Sequence, residues 1–119
     1  MKHFINIKDV PYKTLRKILS ETKKRKDLRK KLKTLEIDKD NPLKGILLIQ
    51  MFEKSSLRTR LSFYLAIRQL GGSALTLRPD ELHLSKGGES LSDTAKILST
   101  YGDIFCLLYT SDAADEVDR

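Results

Sequence analysis

Cysteine, histidine and long apolar runs are nearly missing from this 119-residue chain. The single cysteine, Cys106, excludes an intrachain disulfide. His3 and His83 stand far apart, so no Cys/His cluster has metal-ligand spacing. Metal-dependent catalysis is therefore not expected. No window approaches the roughly 20 apolar residues of a membrane span. The start, "MKHFINIKDV", has no apolar middle of the kind a secretory signal needs. These absences predict a cytoplasmic chain with no membrane partner. Two phosphate-binding signatures are missing as well, G-x-x-x-x-G-K-[ST] and G-x-G-x-x-G. The length suits one domain, or part of one, with a core of its own.

What the chain has in excess is positive charge, formally +7. The excess is local. Residues 1–45 carry 15 Lys/Arg against 6 Asp/Glu, and residues 46–119 carry 8 against 10. Within the first segment, "KKRKDLRKKLK" (23–33) could lie on phosphates. The preferred alternative is a helix whose Leu15, Ile18, Leu19, Leu28, Leu32 and Leu35 form a buried stripe with the lysines solvated. No aromatic or base-reading residue interleaves the basic run, so nucleic acid is not among the expected partners.

Apolar periodicity predicts alternating elements. Pro11 suits the first turn of a helix, and no glycine or proline interrupts the pattern up to about Lys33. "ILLIQMF" (46–52) is a short, continuous apolar run, as in a strand buried on both faces. Residues 57–70 are helix-compatible and end at Gly71-Gly72, a helix-closing pair. "SALTL" (73–77) alternates as a strand. A polar loop (78–89) leads into a helix with Leu91, Ala95 and Leu98 on one face and Gly102 as its stop. "DIFCLL" (103–108) reads as a third strand. The order α-β-α-β-α-β predicts an α/β fold: a parallel sheet with right-handed crossovers and helices on both faces.

That order places "FEKSSLRTRLSF" (52–63) at the carboxyl end of a strand and the start of a helix, where open parallel sheets bind ligands. Helix-start N–H groups, the hydroxyls of Ser55, Ser56 and Thr59, and the Arg58 fork would converge on an anion. Arg58 and Arg60 point about 200° apart on a regular helix, so both do not clamp one ligand. The competing reading is a helix capped by Ser55 or Ser56, with the two arginines ion-paired on the surface. Residue types alone leave the two open.

The same stretch resembles the carbamoyl-phosphate signature of the aspartate and ornithine carbamoyltransferases, a Ser-x-Arg-Thr-Arg run after the first strand of the amino-terminal domain. A second block, "GGESLSDTAKILSTYGD" (87–103), is similar to that family's next block. "MFEK" and "DTAKILSTY" look more like ornithine than aspartate carbamoyltransferases. The resemblance spans roughly residues 1–105 and implies a partial carbamoyl-phosphate-binding domain. It implies that Ser56, Arg58 and Thr59 bind carbamoyl phosphate, with Leu57 giving its backbone N–H, Arg58 being catalytic and Arg60 structural. Tyr64 stands where a glutamate is common. His83 resembles a position that reaches a neighbouring subunit's site in a trimer, and Lys86 competes for that role. The implied reaction, carbamoyl phosphate and L-ornithine to L-citrulline and phosphate, belongs to arginine biosynthesis. It proceeds by positioning and electrostatic stabilisation, with no metal or organic cofactor.

The end of the chain departs from the family. A further arginine, a His-Pro-x-x-Gln loop and the motifs of a second-substrate domain do not occur. "CLLYTSDAADE" looks like the translation of a transposon-type sequencing adapter. Residues 106–119 are thus expected to be a non-native tail, with a divergent strand as the alternative. Such a truncated chain is expected to be inactive alone. The other readings are an aspartate carbamoyltransferase fragment, a phosphate- or nucleic-acid-binding module without enzyme activity, and a structural or regulatory fragment in which SSLRTR only caps a helix.

Overall fold

In a computed structural model, residues 3–52, 56–78 and 91–108 are described. They belong to two units, Met1–Glu36 and Ile37–Arg119. Among its described residues the first unit holds one α-helix, α1 (Tyr12–Leu28), with Pro11 immediately before it and accepting the Leu15 N–H at 3.0 Å. The sequence predicts helix to about Lys33, but α1 stops at Leu28 and a 3-10 turn covers Arg29–Lys31. Arg29 explains the stop. Its guanidinium donates to the carbonyl oxygens of Glu36 (2.8 Å) and Lys33 (3.0 Å), and the Glu36 carboxylate accepts the Lys33 N–H at 3.2 Å. Those bonds require the chain to turn back. Like charges at i, i+4, Arg25 with Arg29 and Lys26 with Lys30, weaken the helical alternative.

The expected buried stripe is also corrected. No residue of α1 is buried. Leu15 and Leu32 are half-buried, but Ile18, Leu19, Leu28 and Leu35 are exposed. The physical reason is that a lone helix within its unit has no second layer to receive an apolar face.

The second unit holds the sheet. Its strands are β1 (Leu47–Phe52), β2 (Ser73–Leu77) and β3 (Ile104–Leu108), all parallel, in the order β2-β1-β3. The expected parallel α/β arrangement is therefore present. β1 is the middle strand, which is why its apolar residues run without alternation: five of its six residues, Leu48 to Phe52, are buried. The connections β1 to β2 and β2 to β3 step in opposite directions across the sheet. The right-handed rule then assigns their helices, α2 (Leu57–Gln69) and α3 (Leu91–Ser99), to opposite faces.

Glycines fix where these helices end. Gly71 has φ +106, and the N–H groups of Gly71 and Gly72 donate to the carbonyls of Arg68 (3.1 Å) and Ile67 (2.8 Å). This is the paired bonding of a Schellman cap, and it delivers the chain directly into β2. At Gly102 the demand is space, since a Cβ there would lie 2.6 Å from the Ile49 Cδ1. Asp103 then ties β3 to the start of β1, its N–H donating to the Leu47 carbonyl (2.9 Å) and its carboxylate accepting the Leu47 N–H (2.9 Å). In α3, Ala95 and Leu98 are half-buried as expected, Thr94 is fully buried, and the Leu91 side chain lies outside the described residues. The expected tail boundary after Phe105 falls inside β3, where Cys106, Leu107 and Leu108 pair with Gln50, Met51 and Phe52. Residues 109–119 lie outside the described residues.

Candidate functional site

Parallel pairing brings the carboxyl ends of all three strands to one edge of the sheet, with β1 in the middle. Phe52 ends β1, and α2 begins five residues later at Leu57. The start of α2 is thereby held at the edge where open parallel sheets bind ligands.

Ser56 occupies the N-cap position with extended φ (−133), and its carbonyl accepts the Arg60 N–H at 2.9 Å. Its hydroxyl makes no cap hydrogen bond. Of the two readings left open by the sequence, capping by Ser56 is thus not what the structure shows; Ser55 lies outside the described residues. Among the described residues, no acceptor meets the N–H groups of Leu57, Arg58 and Thr59. Neither Arg58 nor Arg60 has an ion-pair partner among them.

The charge pattern of this helix start is unfavourable by itself. The first turn of α2 contains no acidic residue and carries Arg58, with Arg60 just beyond, at the positive end of the helix dipole. Cations there cost on the order of a few tenths of a kcal/mol each, and an anion at the same place would reverse the sign. Free amides, an unspent hydroxyl and a misplaced cation all favour a phosphate-like group.

The individual side chains divide. Ser56 and Thr59 are half-buried, and Leu57, Arg58 and Arg60 are exposed. The Thr59 carbonyl accepts the Ser62 hydroxyl at 2.9 Å, and among the described residues the Thr59 hydroxyl has no hydrogen bond. Ser56, Leu57, Arg58 and Thr59 therefore come together at one helix end. His83, Lys86 and the Gly-Glu-Ser part of the second block lie outside the described residues.

One buried polar group behind the site has no counterpart in the sequence-derived list. Gln50, in β1, has no solvent exposure; its Nε2 donates to the Thr76 Oγ1 at 2.8 Å and its Oε1 has no partner. The only sequence signal was a polar residue inside an apolar run. Across the sheet Gln50 is level with Thr76 and Cys106, and burial pushes the Cys106 thiol pKa up.

The model of the aspartate/ornithine carbamoyltransferase carbamoyl-phosphate-binding domain matches residues 2–118. An ornithine carbamoyltransferase of Brucella ovis is 41% identical over 111 residues, which is 93% of this chain and 34% of that protein. Among solved structures, the catalytic subunit of M. jannaschii aspartate transcarbamoylase superposes with a TM-score of 0.75 at 35% identity, covering 98% of this chain and 37% of the other. The anabolic ornithine carbamoyltransferase of Campylobacter jejuni gives 0.69 at 34% identity, covering 98% and 35%. The chain thus spans about a third of the length of the relatives it matches. Among the described residues, no helix is long and apolar enough to cross a membrane.

Proposed function

Because this chain belongs to the aspartate/ornithine carbamoyltransferase family, matching its carbamoyl-phosphate-binding domain, we propose that the start of α2 is where carbamoyl phosphate binds. The observation that carries this is a helix start at the carboxyl end of the central strand where, among the described residues, no side chain caps the amides and the first turn holds no acid. In this reading the N–H groups of Leu57, Arg58 and Thr59 and the hydroxyls of Ser56 and Thr59 face the phosphate. The Arg58 guanidinium spans the phosphate and the carbamoyl oxygen. Carbamoyl transfer needs donors at both places, since an amine attacking the carbonyl builds charge on its oxygen while the phosphate departs. His83 of a neighbouring copy would complete the site in a homotrimer.

The parent reaction we infer is carbamoyl transfer to the δ-amine of L-ornithine, giving L-citrulline and phosphate, as a cytoplasmic step of arginine biosynthesis. The 41% identity to an ornithine carbamoyltransferase supports it. The chain covers 34% of that relative's length, so the reaction is proposed for the full-length protein that carries this sequence. The aspartate reading has its own support in the TM-score of 0.75 to the M. jannaschii catalytic subunit.

The test uses a full-length carbamoyltransferase carrying this amino-terminal sequence. Arg58→Ala should weaken carbamoyl phosphate binding by calorimetry about 10- to 100-fold, the worth of a charge-assisted hydrogen bond or two. Ser56→Ala should weaken binding without lowering the melting temperature of the ligand-free protein. Loss of stability with unchanged affinity would assign Ser56 to structure instead. Turnover of ornithine against aspartate in the same protein separates the two second substrates.

A further inference from the structure

Five of the seven cationic residues of α1 are grouped on one side of the helix; Arg25 and Lys26 lie outside that group. At about 100° per residue, Lys13, Arg16, Lys17, Lys23 and Lys24 fall within an arc of about 120°, while Leu15, Ile18 and Leu19 occupy a separate arc of about 100° centred roughly opposite. All five cations are exposed. The two acidic residues of the helix are already paired elsewhere, Glu21 with Arg25 at 3.2 Å and Asp27 with Lys30 at 3.4 Å. Asp27 lies within the basic arc, but its carboxylate is engaged by Lys30. Among the described residues, none of the five cations has an ion-pair partner. Arg29, just past the end of α1 and outside this arc, donates to the carbonyls of Lys33 and Glu36.

Five unneutralised cations thus lie along about 17 Å of one helix face, from Lys13 to Lys24 at about 1.5 Å per residue. A duplex backbone presents one negative charge per about 1.7 Å of axis and releases bound counterions when cations replace them. An anionic membrane fits less well, because the apolar arc is only three residues and Lys26 falls inside it, between Leu15 and Leu19, so no continuous apolar face is left to enter the bilayer boundary. Single strands are held largely by aromatic stacking, and the basic arc holds no aromatic residue; Tyr12 lies at its margin. Base-reading side chains are missing from the arc too, which is why nucleic acid is not expected from the sequence alone; their absence excludes sequence readout but not contact with the backbone.

We propose that the Lys13–Lys24 face of α1 is a sequence-independent docking surface for the phosphodiester backbone of duplex nucleic acid. It lies within the first unit and is independent of the site at α2. The test is fluorescence anisotropy of the full chain with a short labelled duplex, from about 50 to about 200 mM NaCl. Binding should be weak, with log K falling against log salt at a slope of about −3 to −5, near 0.9 per neutralised phosphate. A scrambled duplex should bind equally. The triple variant Lys13→Glu, Lys17→Glu, Lys24→Glu should lose at least about tenfold and flatten the slope by about 3, with helicity by circular dichroism retained. The control Lys39→Glu, Lys44→Glu, in the second unit, should bind as the parent does. No binding at the lowest salt, or a triple variant that binds like the parent, overturns the proposal. So does polyglutamate competing as well as duplex, which would assign the face to an acidic polypeptide. Tighter binding to phosphatidylserine vesicles than to duplex would assign it to a membrane and overturn the proposal equally.

Discussion

Gln50 shows how one residue can oppose the element that contains it. It occupies the centre of the most buried strand, where flanking Leu48, Ile49, Met51 and Phe52 are all apolar. Its Nε2 is satisfied by Thr76, but its Oε1 is buried without a partner. A buried unpaired acceptor costs about 1–3 kcal/mol, and a neutral hydrogen bond returns about 1. Thr76 is exposed, so water can replace the bond it would lose. Gln50→Leu should therefore raise stability by up to about 2 kcal/mol, read as a higher urea midpoint at unchanged slope. A lower midpoint would mean that the glutamine is doing more than its bond to Thr76 accounts for. Arg58 is the opposite case. It strains against the helix dipole in the free chain, so inorganic phosphate, even without the carbamoyl group, should raise the melting temperature, and Arg58→Ala should abolish that rise.

At the scale of elements, boundaries were legible wherever glycine or an apolar period set them. β2 coincides with its predicted span, and the predicted α2 and β1 are each longer by one residue, at Leu70 and Ile46. Gly71 ends α2 for a reason the sequence states, since φ +106 is strained for any side chain. It also does so for one the sequence hides, since a Cβ would collide with the Asn41 side chain. Gly71→Ala should cost more than the roughly 1 kcal/mol of a helix-closing glycine alone. Asn41→Ala should relieve part of that cost in the double variant, a coupling that denaturant titration of all four proteins would measure. α1 is where periodicity misled. The pattern continues to Lys33, but side-chain bonds from Arg29 and Glu36 to backbone groups of residues 33–36 outcompete helix in a like-charged run.

Across the whole molecule the described sheet has three strands, and β2 and β3 are its edges. Among the described residues no further strand pairs with either edge, and large apolar residues such as Leu57, Leu61, Leu75 and Ile104 are exposed. The chain as given is expected to self-associate at micromolar concentration, and light scattering after size exclusion should show it. A monomer with one cooperative thermal transition would refute that expectation. By itself the sequence determined the alternation of elements and the parallel class, and it set the Ser-x-Arg-Thr-Arg run between a strand and a helix, because periodicity and glycine positions are local properties. Only the tertiary structure decided that β1 is central, that Gly102 must clear Ile49, that the Ser56 hydroxyl is not spent on a cap, and that Ile18, Leu19 and Leu28 of α1 stay exposed. Those outcomes depend on which neighbour fills each face and takes up each hydrogen bond, and a neighbour 20 or 50 residues away leaves no mark on the local pattern.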